Sequence, residues 1–183
     1  TRNAPMKEVP GETRDHPHHR SLWYAHGDVN GTDFWSESSR AGKIVHKKFL
    51  DVQSGPKAGW IRSENDWVTR DGQLVCTVEQ LFRVLHTSPK ERVFDFEVTY
   101  QALDKDLVLG DTKEGTMAIR IAESMRLSPN EFNKGKPPGR IVQSTGVEGN
   151  DTWGKRAAWC DYSGLVDGKT VGVAIFDHPD NPR

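Results

Sequence analysis

The sequence predicts an all-β protein built from antiparallel strands, and three observations carry that expectation. Over residues 93–103 the side chains of Phe94, Phe96, Val98, Tyr100 and Ala102 alternate with Asp95, Glu97, Thr99 and Gln101. A period of two places one set on each face of a strand. Asp-Gly pairs, Asp71-Gly72 and Asp167-Gly168, fall between such runs, where they favour tight hairpin turns. No segment sustains the helical spacing of about 3.6 residues that an amphipathic helix requires.

Each element follows from local pattern. Residues 44–52 supply a first strand. Residues 58–69 and 74–84 form a hairpin across Arg70-Asp71-Gly72-Gln73. In its second arm Leu74, Cys76, Val78, Phe82 and Val84 make one apolar face, interrupted by Gln80. Residues 93–103 and 116–122 add two more strands, and residues 155–163 pair with 170–176 across Val166-Asp167-Gly168-Lys169. Residues 171–176 are apolar on both faces, the signature expected of a central strand covered on each side. Residues 128–133 could form one or two helical turns, while Lys134 to Arg140 ("KGKPPGR") is a loop by its paired prolines and glycines. Together these strands predict an antiparallel sandwich or a wide stacked sheet. They form one domain over residues 1–183, expected to be incomplete at both ends because an apolar central strand needs neighbours.

Composition narrows the function. The 183 residues carry a formal charge of −1, a pI near 6.6 and a mean hydropathy of −0.71. That balance gives no global attraction to nucleic acid or anionic lipid, and no apolar run approaches the roughly 20 residues of a membrane span. Cys76 and Cys160 lack metal-ligand spacing, leaving two thiols or one disulfide open. Thr1 opens no signal peptide, so the compartment stays open, with the periplasm or the exterior both compatible.

Four of the 7 histidines lie between Arg14 and Trp35, in "RDHPHHRSLWYAHGDVNGTDFW". On a strand His18 and His19 would point to opposite sides, so a bend at Pro17 is needed to gather His16, His18 and His19. The fixed cation of Arg20 opposes a neighbouring divalent metal, and the spacing matches no common zinc motif. No cofactor is therefore expected, metal at the histidine cluster being the disfavoured alternative. Acid–base chemistry asks less of the geometry, since a histidine ring gives or takes a proton near neutral pH. Arg20 offers forked donors, His26 lies within reach in sequence, and Trp23 and Trp35 offer flat faces with a polar edge. That mixture suits a polyol. The plainer alternative is a turn-rich corner, since Asp15, Asp28 and Asn30-Gly31 are ordinary turn residues and buried histidines often only satisfy backbone groups.

A second constellation is "GDTKEGTMAIR", with Asp111, Lys113 and Glu114 in a Gly-bounded loop and Arg120 between Ala118 and Ala122 on one strand face. Solvated loop charges are the ordinary explanation, but small neighbours leave Arg120 room for a ligand or an ion pair. The tripeptide Asp15-His16-Pro17 returns as Asp177-His178-Pro179, and each proline should mark a strand end.

Three of these stretches, "DHPHHRSLWYAHGDVNGTDFW", "GDTKEGTMAIR" and "VGVAIFDHPDNPR", resemble the family labelled methane oxygenase PmoA, a group of bacterial proteins. The resemblance spans most of the chain in order; where Ser21 stands, that family usually has glycine. Its members extend past Arg183 into further aromatic-rich strands. The resemblance implies a β-supersandwich similar to galactose mutarotase, whose relatives bind or process carbohydrates. The leading expectation is thus a carbohydrate-active protein, in enzymatic form an isomerase, epimerase or glycoside-processing enzyme. His18 or His19 would act with Glu114 as the acid–base pair. His16, Arg20, Trp23, His26, Trp35, Lys113, Arg120 and His178 would bind substrate. A non-catalytic carbohydrate-binding module is the second expectation, and a metal-dependent oxidase, as the family label suggests, the third.

Overall fold

The computed structural model describes residue 3 and residues 6–181. Among them the structure is all-β, with antiparallel sheets and no α-helix. Its nine strands are β1 (Leu22–His26), β2 (Lys43–Gln53), β3 (Ala58–Val68), β4 (Leu74–Leu85), β5 (Val93–Gln101), β6 (Gly115–Ile119), β7 (Arg140–Gln143), β8 (Trp159–Val166) and β9 (Lys169–Phe176). The chain forms two compact units: one is Tyr24–Met117, the other joins Thr1–Trp23 to Ala118–Arg183. β1 and β6 pair as a two-stranded ribbon.

The Tyr24–Met117 unit is organised by a four-stranded meander in the order β2-β3-β4-β5. Both expected turns occur. Gly72 takes φ +89° at the β3–β4 turn, and Asn30 and Gly31 take φ 50° and 81° in the tight reversal between Val29 and Thr32. Left-handed backbone is what Gly and Asn tolerate best. On one sheet face Trp67 pairs with Cys76, and Val78 with Asn65 and Tyr100. Here lies the core: Trp67, Cys76, Val78 and Val29 have no exposed surface, and Phe34 closes over Trp67 with ring centroids 4.7 Å apart. Cys76 is a free thiol, pushed up to about 11 by burial. Farther along the same face, Val52, Ile61 and Phe94 are open to solvent. The other face carries ion pairs, including Arg62–Glu79 and Arg83–Asp95.

The second unit contains the sheet β7-β8-β9. The expected Asp167-Gly168 turn closes β8 to β9, with φ of 51° and 76°. The expectation of a central strand at residues 171–176 is corrected. Among the described residues β9 pairs only with β8 and lies at the sheet edge, with Val171 41% and Phe176 75% exposed. Its second apolar face comes from Val171 and Val173, which line a cavity rather than a further strand layer. The expected helical turn at residues 128–133 is also absent. Asn133 instead ties the loop, donating to the carbonyls of Arg126 and Ser128 at 3.1 and 3.2 Å. The 3₁₀ turn Glu123–Met125 packs on β8, so closely that a Cβ at Gly164 would come within 2.9 Å of Met125 Cα.

Among the described residues no helix is long and apolar enough to cross a membrane.

Candidate functional site

The Asp15-His16-Pro17-His18-His19 segment makes the bend that gathers its histidines. Pro17 occupies the second position of a turn closed by the His19 amide donating to the His16 carbonyl at 3.1 Å, a position for which proline is pre-set. The turn brings its first and fourth residues together. His16 stacks on His19 with ring centroids 4.6 Å apart and planes 6° from parallel. Trp23 stacks on the other face of His19 at 4.6 Å, and His18 meets both neighbouring imidazoles edge-on at 5.6 and 4.5 Å.

Arg120 crosses to this column just beyond β6. Its backbone N–H donates to the Ser21 carbonyl at 2.7 Å. One guanidinium nitrogen donates to Asp15 Oδ1 at 2.9 Å; the other approaches His19 Nδ1 at 3.4 Å. Asp15 Oδ2 in turn accepts from His16 Nδ1 at 2.8 Å. Behind them Glu123, only 4% exposed, lies 3.8 Å from Arg120 and accepts from Arg126 and Thr13 at 3.1 Å. The guanidinium is therefore fixed by two carboxylates and an imidazole, in the fork geometry that arginine favours.

These contacts set the protonation states. Burial acts to raise the Asp15 carboxyl, but hydrogen bonds from His16 and Arg120 outweigh it and hold it down at about 2. His19 is pushed down to about 4, first by burial and then by the charges of His18, His16 and Arg120. Near neutral pH it is an uncharged ring. A guanidinium can only donate, so Nδ1 accepts and the ring proton resides on Nε2. The site thus presents a fixed carboxylate and a fixed cation beside a neutral imidazole whose Nε2 is buried.

Arg120 also lines a half-open cavity of about 580 Å³ in the same unit. Ile119, Ile121 and Met125 form one wall, Val171 and Val173 of β9 another, and Asp167 and Lys169 of the hairpin add charge.

The structure therefore brings together five of the residues expected from sequence: His16, His18, His19, Trp23 and Arg120. Arg20 turns back to donate to the Pro17 carbonyl at 3.1 Å. His178, in the same unit, sits in a local turn after β9 and accepts from the Asp180 amide at 3.2 Å. His26, Trp35, Lys113 and Glu114 belong to the Tyr24–Met117 unit. There His26 is 8% exposed and donates from Nε2 to the Gly110 carbonyl at 2.9 Å. Trp35 follows Asp33, whose carboxylate accepts its amide at 2.7 Å. Lys113 pairs with Glu114 at 3.6 Å on the surface. Sequence reasoning gives Asp15 only a turn role and does not name Glu123; the signals for them are an acid beside a Pro turn and an acid three residues after Arg120.

Among the described residues no group of three or more His, Cys, Asp or Glu side chains is placed to hold a metal ion. Fold and cluster together define an all-β chain carrying an arginine–carboxylate–histidine site in one of its units. A family model matches residues 2–183, and the chain belongs to that family, DUF6807, a family of unknown function. No curated protein and no solved structure matches the chain significantly.

Proposed function

We propose that the chain is a carbohydrate-active protein that engages a sugar or glycoside at the Asp15–His16–His18–His19–Arg120 cluster. One observation carries the reading: Arg120 is clamped by Asp15 at 2.9 Å and faces the neutral His19 at 3.4 Å. A polyol both donates and accepts, so it can bridge a fixed carboxylate and a fixed cation beside the stacked imidazoles without bringing charge. The three motifs that resemble the PmoA-labelled family, and its mutarotase-like relatives, support the same reading at the level of analogy.

In the enzymatic form His18 carries the proton, with Arg120 stabilising negative charge as it develops on a sugar oxygen. A binding module without turnover is the second reading. It is favoured by the low set points of Asp15 and His19, which make both poor proton carriers near neutral pH.

Calorimetric titration with a panel of hexoses and methyl glycosides, beside polarimetry of anomer interconversion, tests this. Wild type is expected to bind at least one sugar, and Arg120→Ala to lose at least tenfold in affinity, the scale of a charge-assisted hydrogen bond (about 1.5–3 kcal/mol). His18→Gln separates the forms: an enzyme loses turnover and retains most of its binding, whereas a module has no turnover to lose. Stoichiometric copper, iron or zinc in protein purified without chelator, with no response to any sugar, would overturn the proposal in favour of the oxidase expected from the family label.

A further inference from the structure

We infer that the preferred ligand is a glycoside with an apolar aglycone, whose sugar meets the histidine–arginine cluster while its aglycone fills the adjoining cavity. The inference rests on the proposed carbohydrate reading and names the class of substrate within it. Two features carry it, and both lie within one unit of the chain. Arg120 is common to both places: its guanidinium is tied to Asp15 and His19, and the same residue lines the cavity. Arg120 therefore borders both the cluster and the cavity.

The second feature is the chemistry of the walls. Ile119, Ile121, Met125, Val171 and Val173 offer little to sugar hydroxyls, and covering them with a second hydrated sugar would strand polar groups against hydrocarbon. A phenyl or short alkyl group removes those walls from water instead. The volume, about 580 Å³, falls within the roughly 300–1,000 Å³ of small-molecule sites.

The test compares methyl, phenyl and hexyl β-D-glycosides, in whichever sugar series the protein binds, with phenol and hexanol alone, by calorimetry at one temperature. The variants are Val171→Glu, which charges the wall, and Val171→Trp, which fills it. Val171 is 41% exposed on an edge strand, so both should fold, and unchanged circular dichroism checks this. The expected result is phenyl and hexyl glycosides binding on the order of tenfold tighter than the methyl glycoside. In either variant the gain should shrink below about twofold while methyl glycoside affinity stays within about twofold of wild type. Equal affinity for methyl and phenyl glycosides in wild type would overturn the inference and leave the carbohydrate reading standing. A gain that survives both substitutions would overturn it too, since the aglycone would then lie elsewhere, as would phenol or hexanol binding as tightly as its glycoside. Failure of every sugar and glycoside to bind would remove the carbohydrate reading and the inference together.

Discussion

At the scale of single residues, the site is held by groups whose charge is fixed away from their ordinary values. This makes acid sensitivity predictable. His19 takes a proton at about 4 in the folded chain against an ordinary 6.5, so between those values the unfolded chain binds more protons. Stability therefore rises with pH across that window and falls as pH drops from 6.5 toward 4. Asp15 acts lower down. Its carboxyl titrates at about 2 against 3.8, so its contribution is complete above 3.8 and lost as pH falls through 2. Melting temperature against pH should slope between pH 6.5 and 4 in wild type and flatten there in His19→Gln; identical profiles would show that the ring is not held neutral. Ser21 offers a second check. It adopts φ 55°, a left-handed conformation that costs a non-glycine residue roughly 1–2 kcal/mol. Ser21→Gly should stabilise the chain by up to about 1 kcal/mol in urea titration after its added unfolded-state freedom is offset. A loss of stability would place the Ser21 side chain among the groups that hold the turn. Of this site, the histidines and Arg120 were legible as residue types. Their convergence was not, because Arg120 and His19 stand 101 positions apart and no local pattern encodes that pairing.

At the scale of elements, legibility tracked how local the signal was. The β3–β4 and β8–β9 turns were readable because Asp-Gly dictates its own backbone, and alternation over β5 dictates its own faces. The edge position of β9 was hidden, since a cavity wall and a covering sheet demand the same apolar residues. The loop at residues 128–133 was hidden because two asparagine side chains supply bonds that a helix would otherwise make. The four-stranded sheet yields a paired prediction on one face. Val78 is fully buried beside Trp67, whereas Val52 is 57% exposed. Val78→Ala should cost about 1.5–3 kcal/mol in a chemical denaturation series, and Val52→Ala within about 0.5 kcal/mol. Equal costs would mean that the open half of the face is covered in solution.

At the scale of the whole chain, a net charge of −1 gives no global attraction to a charged partner, and the proposed recognition rests on short-range contacts at a built site. The described residues supply such a site in the unit that joins the two ends of the chain: a stacked histidine column, a clamped arginine and an apolar cavity sharing that arginine. The central claim is that this column is where a sugar binds, and histidine ring resonances recorded by NMR during titration with the tightest-binding glycoside test it most directly. The 7 histidines provide their own controls. The account predicts saturable shifts at His16, His18 and His19 with one common dissociation constant, little change at His46 and His86, and loss of the response in Arg120→Ala. Saturable binding by calorimetry that leaves all three cluster resonances unmoved would contradict it, and would place the ligand on another part of the chain.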